Sequence, residues 1–557
     1  MIRDFARHIV SIRALSGSRR VTLEKTDKHT WRAAPVRGAL TVVCEIYAWD
    51  LSVRGAHLDA SHGFFNGASV FLRVIGREDR ACELEILPPR GDRYRGWRVA
   101  TAMARAGARP FGFGAYAAAD YDELIDHPVE LGRFTLAAFR TRSVPHQVAI
   151  TGEHRADLAR LCRDLKQMCE RQIDLFGAPA PMARYLFLVT AVGEGYGGLE
   201  HRASCALLCS RGMLPQRGSA GYGESYRRFL GLASHEYFHT WNVKRIKPAV
   251  FVPCDLDREI HTTLLWAFEG LTSYYDDLML VRAGLITVGQ YLELLGRNIT
   301  SHLRTPGRAR QSVVESSFDA WTRHYRQDEN SPNALVSYYL KGSLVGLCLD
   351  LLIRSGTRGR RSLDDVMRAL WRRYGRTGRG VGEGDIESLA QEISGLDLRR
   401  FFRLALRSTA ELPIARVLAT HGVAMTLRAA ESARDAGGKP AVDAGRLRSK
   451  PGIGVVTRTE GRELVLKHVL EGGAAQRAGM SAGDVIVAID GIRCPADALD
   501  SLFDRRRPGE RLRVHAFRRD ELRRFDVLLA RAPADTCVLA APKRSALFAR
   551  WLGAPGR

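Results

Sequence analysis

The pattern of apolar and polar positions divides the chain into a strand-rich beginning, a helical middle and a second strand-rich module. Residues 1–145 alternate short apolar runs with turn residues, and "TVVCEIYAWDLSV", "ASVFLRVIG" and "RFTLAAFR" are typical of strands. From about 224 to 430 the pattern is mainly helical, as in "SLDDVMRALWRRYG", where Ser362 and Asp365 have N-cap and first-turn character. The pattern predicts a multidomain α+β protein.

Two segments connect the strand-rich beginning to the helical middle. "RADLARLCRDLKQMCERQIDLFG" has apolar residues at helical spacing and predicts a helix, and "RYLFLVTAVG" predicts a buried strand.

Residues 430–450 are polar and rich in Gly and Ala, which indicates a linker. Beyond it, "GIGVVTR", "ELVLKHVL", "DVIVAIDG", "LRVHAFRR" and "FDVLLA" predict the strands of a compact module over residues 451–531.

Composition and charge limit the classes of protein to which the chain can belong. The chain has 557 residues, of which 45% are hydrophobic, so it can bury several cores. Lys and Arg number 84 against 61 Asp and Glu, which gives a net charge of +23. This excess is mostly arginine, is spread along the chain and accompanies no recognisable nucleic-acid motif. We therefore interpret it as a basic solvated surface and expect no nucleic-acid partner.

The sequence also indicates the cellular compartment of the protein. Ten cysteines in 557 residues are not a dense disulfide framework, and the N-terminal residues lack the apolar core of a signal peptide. The longest apolar stretch is interrupted by Lys341 and Asp350, so we expect no membrane span. These features predict a cytoplasmic protein.

"HEYFH", residues 235–239, is an H-E-x-x-H motif inside an apolar helical pattern. Residues four apart lie on one face of a helix, so His235 and His239 can reach a single metal ion. Glu236 stands next to the first histidine and can act as general base on a water molecule. Two unrelated histidines on a buried helix are the alternative interpretation.

A catalytic zinc site needs a third protein ligand and an open position for water. Glu269 lies in "TTLLWAFEGLTSYYDDLMLVRAG", where a carboxylate is costly unless it is paired or binds metal, so we predict it as that ligand. Tyr338 and Tyr339 begin another apolar helix and could donate a hydrogen bond to an oxyanion. A role in packing is the alternative for either tyrosine.

Longer strings around these residues resemble a known family. "HEYFHTWNVKRIKP", "LLWAFEGLTSYYDDLMLVRAGL" and "SYYLKGSLVGLCLDLLIR" are similar to the bacterial glycyl aminopeptidases, zinc metallopeptidases with a C-terminal PDZ domain. "RDFARHIV", "TDKHTWR", "HGFFNG" and "YGGLEHRAS" extend the resemblance over nearly the whole chain. It implies a gluzincin-type aminopeptidase that binds one Zn²⁺ per chain and removes Gly or another small residue from peptides with a free N-terminus.

The resemblance also implies a domain organisation. A β-rich N-terminal domain is expected over residues 1–145 and a thermolysin-like zinc peptidase domain over 146–300. A helical domain is expected over 301–430, a PDZ domain over 451–531 and a C-terminal tail over 532–557. Related proteins carry a tryptophan–proline–glycine–serine–tyrosine motif before the point where this chain starts. We therefore expect the first domain to be truncated at its start, by a mis-assigned start codon or by loss of its first strands.

The resemblance assigns roles to particular residues. His235, His239 and Glu269 correspond to zinc ligands and Glu236 to the general base. A tyrosine in a Y-x-K-G string contacts the oxyanion in the related aminopeptidases, which favours Tyr339 over Tyr338. "GGLEH" stands where that clan has Gly-x-Met-Glu-Asn, so the substrate-binding positions implied by the resemblance are Gly197, Gly198 and Glu200. The glutamate would bind the free amine of the substrate.

"GGAAQRAGMSAGDVIVAIDG" resembles a bacterial PDZ domain. "PGIGV" would then form the loop that binds a peptide C-terminus, through the backbone N–H groups of Gly452, Ile453, Gly454 and Val455. Two further functions stay open at this stage. One is a PDZ-based peptide-binding scaffold with a weak or vestigial zinc site, and the other is a zinc endopeptidase.

Overall fold

The computed structural model describes residues 2–219, 221–447, 450–495, 499–542 and 545–553. The chain divides into two compact units, residues 2–245 and residues 246–557, called here the N-terminal unit and the C-terminal unit.

The N-terminal unit is rich in β-strands, as the apolar alternation predicts, and most of its sheets are antiparallel. Most of its strands are short and end at turn residues. Its strands outside the largest sheet are Ile9–Ser16, Arg19–Val21, Leu23–Lys25, Trp31–Ala33, Thr41–Ile46, Ala56–Leu58, His62–Phe65, Cys82–Ile86, Arg98–Ala100, Ala104–Arg105, Gly114–Ala118 and Val129–Gly132.

The largest sheet of this unit has five strands in the spatial order Thr135–Thr141, Val144–Thr151, Tyr185–Val192, Ser204–Ser210 and Tyr196–Glu200. The three central strands run parallel, and the last strand pairs antiparallel at the edge. The central strand Tyr185–Val192 is almost continuously apolar and buried, as expected for a strand covered on both faces. Helix Leu158–Phe176 begins at Asp157, whose side chain accepts a hydrogen bond from the backbone N–H of Arg160.

One predicted strand is wrong. "ASVFLRVIG" forms a single 3₁₀ turn at Gly67–Ser69 and then an irregular segment. Val74 and Ile75 are each about two-thirds exposed, so the apolar run does not contribute to the core there. The side chain of Asn66 accepts a hydrogen bond from the N–H of Ala68 and caps the turn, which local turn chemistry favours over a strand.

The C-terminal unit is helical over most of residues 246–430. Its helices are Leu271–Arg282, Val288–Leu303, Val313–Phe318, Ser331–Ala334, Tyr338–Gly356, Leu363–Leu370, Asp385–Ser394, Arg399–Arg407 and Ile414–Thr420. A π-helical turn, Trp266–Gly270, precedes the first of them. The predicted cap at Ser362 is confirmed, because Ser362 and Asp365 form a reciprocal capping box.

The stretch Ser331–Gly356 is long and apolar enough to cross a membrane, with a mean hydropathy of 1.4. However, 78% of the relevant window is buried inside the protein, as in the core helix of a globular domain. Asp350 is fully buried in this stretch and is paired with Arg354 and Tyr274.

The module after the linker is rich in strands, as predicted, and they form a six-stranded antiparallel sheet. Its strands are Val455–Glu460, Glu463–Val469, Val485–Ile489, Ile492–Arg493, Arg511–Arg518 and Glu521–Leu528. The short helices Ala474–Arg477 and Leu499–Phe503 accompany the sheet, whose core includes Ile453, Leu466 and Val527. Val455–Glu460 lies at one edge of this sheet.

The sequence predicts a tail over residues 532–557, whereas most of this segment is ordered structure. Thr536–Ala540 pairs with the strand Ala424–Arg428, which lies before the module in sequence. Helix Ala546–Leu552 follows, and its Trp551 is fully buried and donates a hydrogen bond to the Tyr274 hydroxyl at 3.0 Å. The apolar side chains of this short helix explain why it packs rather than extends into solvent.

Candidate active site

The H-E-x-x-H motif lies at the end of helix Glu224–Phe238, called here the motif helix. His235 is in its last turn and His239 is its C-cap residue. The apolar residues before the motif are buried as predicted, since Phe229, Leu230 and Leu232 are all at most 6% exposed. The core therefore fixes the motif helix and with it the orientation of both histidines.

The two histidines face each other. Their Nε2 atoms lie 3.1 Å apart. His239 Nδ1 donates a hydrogen bond to the backbone carbonyl of Asn242 at 2.5 Å. Because a carbonyl oxygen can only accept, Nδ1 carries the proton and Nε2 carries the lone pair. Adjacent ligands of a tetrahedral zinc ion are about 3.3 Å apart for bonds of about 2.0 Å, so this pair fits a zinc ion.

Gly198 explains the position of Glu236, which is 5% exposed. A Cβ atom at residue 198 would lie 2.7 Å from Cγ of Glu236 and still closer to its carboxylate. Only a residue without a side chain permits this approach. A Cβ atom at Gly197 meets no atom within 4 Å, so the neighbouring glycine is not constrained in this way.

Glu200 lies at the end of the same strand and close to the motif helix. Carboxylate oxygens of Glu200 and Glu236 and a ring nitrogen of His239 all lie within 4.8 Å of one another. The strand Tyr196–Glu200 forms the edge of the five-stranded sheet. Among the strands of the described ranges, it pairs only with Ser204–Ser210, so one side of its backbone can receive an extended peptide.

Sequence reasoning missed the charged residues beside Glu200. Lys244 Nζ lies 2.6 Å from Oδ1 of Asp126, and His201 Nδ1 lies 3.6 Å from the same oxygen. Asp126 is 6% exposed and also accepts a hydrogen bond from the backbone N–H of Arg202. Although burial opposes the charge, Lys244 and His201 hold the pKa of Asp126 well below its usual range. Asp126 stands 74 residues before Glu200, and the sequence contains no signal that links the two.

Glu269 and Tyr339 both lie in the C-terminal unit. Glu269 is in the π-helical turn Trp266–Gly270, a helical irregularity that is frequent at functional sites. A Cβ atom at Gly270 would lie 2.5 Å from Cα of Gly342, so two glycines let the turn approach helix Tyr338–Gly356. Burial and the carboxylate of Glu269 raise the pKa of the Tyr339 phenol, which keeps it protonated at neutral pH.

The two neighbouring tyrosines differ in their surroundings. Tyr338 is fully buried, and its hydroxyl donates to the hydroxyl of Tyr325 at 3.1 Å. Tyr339 is only partly buried and stacks on the rings of Tyr338 and His324, with centroids 4.8 Å and 5.7 Å away. Tyr339 is therefore the more accessible of the two, whereas Tyr338 has the surroundings of a core residue.

The loop predicted to bind a peptide C-terminus begins the six-stranded module. Gly454 has a φ of +75°, and a Cβ atom there would lie 2.8 Å from Cα of Gly473, so this position requires glycine. Ile453 is 4% exposed and belongs to the core. The edge strand Val455–Glu460 follows directly, an arrangement that a peptide could extend by strand addition.

Three family models match the chain. The M61 glycyl aminopeptidase model matches residues 228–345, which include the H-E-x-x-H motif, Glu269 and Tyr339. The model of the peptidase M61 N-terminal domain matches residues 1–133, and the PDZ domain model matches residues 442–510. No curated protein matches the chain.

Solved structures are also similar to the chain. The crystal structure of an aminopeptidase N family protein from Idiomarina loihiensis is 37% identical, with a TM-score of 0.95, and the match covers 99% of this chain and 92% of that one. Aminopeptidase A of Legionella pneumophila, solved with aspartic acid, is 16% identical, with a TM-score of 0.47 and coverages of 72% and 44%. An M1 zinc metallopeptidase from Deinococcus radiodurans is 12% identical, with a TM-score of 0.46 and coverages of 73% and 85%. The last two likenesses are too weak to bear on function.

Proposed function

Since the chain belongs to the M61 glycyl aminopeptidase family and is a peptide hydrolase, we propose that it is a zinc-dependent aminopeptidase. The proposed reaction releases an N-terminal glycine or another small residue from a peptide. The observation that carries the proposal is the pair His235 and His239, with Nε2 atoms 3.1 Å apart and Glu236 and Glu200 beside them. The preference for glycine rests on the family alone.

His235, His239 and Glu269 are the proposed zinc ligands. The hydrogen bond from His239 Nδ1 to Asn242 supports this role, because it orients the ring and leaves Nε2 for the metal. The carboxylate of Glu269 would complete the two-histidine, one-glutamate ligand set of a catalytic zinc site. When bound there, zinc acts as a Lewis acid that polarises the scissile carbonyl and lowers the pKa of water.

Glu236 is the proposed general base and then general acid. One of its carboxylate oxygens takes a proton from the attacking water molecule, and the same proton passes to the nitrogen of the leaving amine. Gly198 supports this role, because the absence of a side chain there gives the carboxylate of Glu236 its place beside the edge strand.

Glu200 is the proposed anchor of the substrate ammonium group. A carboxylate pairs well with a charged amine, and only the first residue of a peptide carries that amine. Lys244 contributes positive charge near Glu200, while Asp126 pairs with Lys244 and holds it in place. We propose that this pairing leaves the Glu200 carboxylate available to the substrate.

The edge strand Tyr196–Glu200, including Gly197 and Gly198, is the proposed backbone-binding site for the substrate. An extended peptide could hydrogen-bond to its open side, with its first residue next to Glu200. Tyr339 is the proposed donor to the oxyanion that forms when water adds to the carbonyl. Its protonated phenol and its partial exposure support that role.

The PDZ domain and the compartment form a separate part of the proposal. The loop Gly452–Val455 and the edge strand Val455–Glu460 support binding of a peptide C-terminus. We propose a cytoplasmic location. None of the ten cysteines, all of which lie in described ranges, is part of a disulfide, as is usual in a reducing compartment.

The experiment that tests the proposed activity is hydrolysis of glycyl-p-nitroanilide by zinc-loaded protein. We expect activity that a chelator removes and added zinc restores. Glu236→Gln should lower kcat by at least ~100-fold while the protein keeps its zinc, because it removes only the base. An active Glu236→Gln variant would refute the assignment of the base. An inactive wild-type protein with full zinc content would refute the proposed activity.

A further inference from the structure

A second group of metal-binding side chains lies in a β-hairpin of the N-terminal unit. Strands Ala56–Leu58 and His62–Phe65 pair antiparallel, with His57 opposite Phe64. Residues two apart on a strand share a face, so His57 and Asp59 project to the same side as His62 and Phe64. His62 is therefore the diagonal neighbour of His57, and the hairpin turn brings Asp59 close to both.

The distances between the ligand atoms of these three side chains are short enough for all three to bind one ion. A ligand atom from each of His57, Asp59 and His62 lies within 4.8 Å of the other two. Nε2 of His57 is 3.2 Å from Oδ2 of Asp59, which is the separation that two ligands of a tetrahedral zinc ion need, about 3.3 Å. The imidazole rings of His57 and His62 have centroids 5.0 Å apart.

Glu130 holds His62 in the orientation of a metal ligand. Its Oε1 lies 3.1 Å from Nδ1 of His62, and its side chain is 3% exposed. Metal-binding histidines commonly donate their second N–H to a carboxylate, which fixes the tautomer and leaves the other nitrogen for the ion. Gly132 lies opposite His62 in the adjacent strand, with a φ of +144°, and a Cβ atom there would lie 3.0 Å from Cβ of His62. The absence of a side chain at residue 132 thus leaves space for the side chain of His62.

Hydrogen bonds and packing contacts in the rest of the hairpin hold these side chains in place. They do not involve the atoms that would bind the ion. Oδ1 of Asp59 accepts hydrogen bonds from the backbone N–H groups of Ser61 and His62, at 2.6 Å and 3.0 Å, while Oδ2 faces His57. His57 is 7% exposed and packs on the ring of Trp49, with centroids 5.0 Å apart. Its Nδ1 is buried and has no hydrogen-bond partner among the described residues, so Nε2, which faces Asp59, is the ring nitrogen available to the ion.

We propose that His57, Asp59 and His62 bind a second zinc ion, with Glu130 as the residue that positions His62. Two imidazole nitrogens and one carboxylate oxygen are a ligand set that zinc accepts, and water would take the fourth position. The proposed ion joins two strands and their turn, so its role is to stabilise the hairpin. This site shares no residue with the proposed catalytic site.

The test is the zinc content of the full-length protein after zinc loading and removal of unbound metal. We expect two zinc ions per chain in the wild type and one in His57→Gln. Asp59→Asn is the gentler second variant, because its amide oxygen can still accept the two turn hydrogen bonds, and it should also lose one zinc ion. His29→Gln, a substitution of an exposed histidine in the same unit, is the matched control and should retain two.

Further variants separate the two proposed sites. His239→Ala should retain one zinc ion, and the double variant His57→Gln/His239→Ala should retain none. Circular dichroism identifies any variant that fails to fold, and a chelator titration of the wild type should then show two separate zinc losses. The proposal is overturned if the wild type holds one ion and His239→Ala holds none. It is also overturned if folded Asp59→Asn and His57→Gln keep the wild-type content.

Discussion

Gly198 lies directly against the side chain of Glu236, and the two residues come from different elements of the N-terminal unit. A Cβ atom at residue 198 would overlap the carboxylate of Glu236 and would lie 2.7 Å from its Cγ. The proposed general base and the proposed substrate strand thus share one close contact, so the position of the base depends on a residue that carries no chemistry itself.

The first prediction concerns this contact. Gly198→Ala should move the Glu236 carboxylate away from its place and lower kcat/KM for glycyl-p-nitroanilide by about 100-fold, the usual cost of a displaced catalytic group. Gly212→Ala is the matched control, because a Cβ atom there meets no atom within 4 Å. Equal activity of both variants would show that the position of Glu236 does not depend on Gly198.

The second prediction concerns Lys244. Lys244→Met leaves the buried carboxylate of Asp126 without its closest cation, so we expect a loss of about 3 kcal/mol in the free energy of unfolding. KM for a free-amine substrate should change more than kcat, since Glu200 lies in the same charged group. Denaturant unfolding and steady-state kinetics measure the two effects. Exposed Lys166→Met serves as the control, and an unchanged KM in Lys244→Met would contradict the link to Glu200.

The third prediction separates Tyr338 from Tyr339. Tyr339→Phe removes the proposed oxyanion donor and should lower kcat by about 100-fold with little change in stability. Tyr338→Phe removes a hydrogen bond to Tyr325 and should instead lower the free energy of unfolding by about 1 kcal/mol, with kcat nearly unchanged. The reverse pattern would assign the donor to Tyr338.

The fourth prediction concerns stability in acid. Although burial opposes its charge, Arg282 and Arg354 lower the pKa of Asp364 to about 2. The folded-state pKa is below the unfolded value of about 4, so this stabilisation is complete above pH 4 and is lost as the pH falls towards 2. It amounts to about 2 kcal/mol. Asp364→Asn should weaken the protein at pH 7 and flatten its unfolding free energy between pH 4 and 2. An unchanged slope would contradict the pairing.

The sequence predicted the elements that carry a strong period or motif. The motif helix, the strand Tyr185–Val192 and the capped helix at Ser362 were all predictable, because burial patterns and caps are local properties of the chain. The strand predicted for "ASVFLRVIG" was wrong, because an apolar run next to turn residues can be partly exposed.

The candidate site was only partly predictable for a physical reason. His235, Glu236 and His239 stand together in sequence, so helical spacing alone indicates their chemistry. The approach of Gly198 to Glu236 and the pairing of Asp126 with Lys244 depend on tertiary packing between distant segments. Spacing along the chain contains no signal for either contact.

Hydrolysis of glycyl-p-nitroanilide and of its N-acetylated form by the zinc-loaded full-length protein decides whether the enzyme requires a free N-terminus. We expect release of p-nitroaniline from the free-amine substrate and at least ~100-fold less from the acetylated one, because Glu200 recognises a charged amine. Equal cleavage of both substrates would contradict the aminopeptidase assignment and indicate an endopeptidase. Cleavage of neither, with zinc bound, would contradict the proposed peptidase activity.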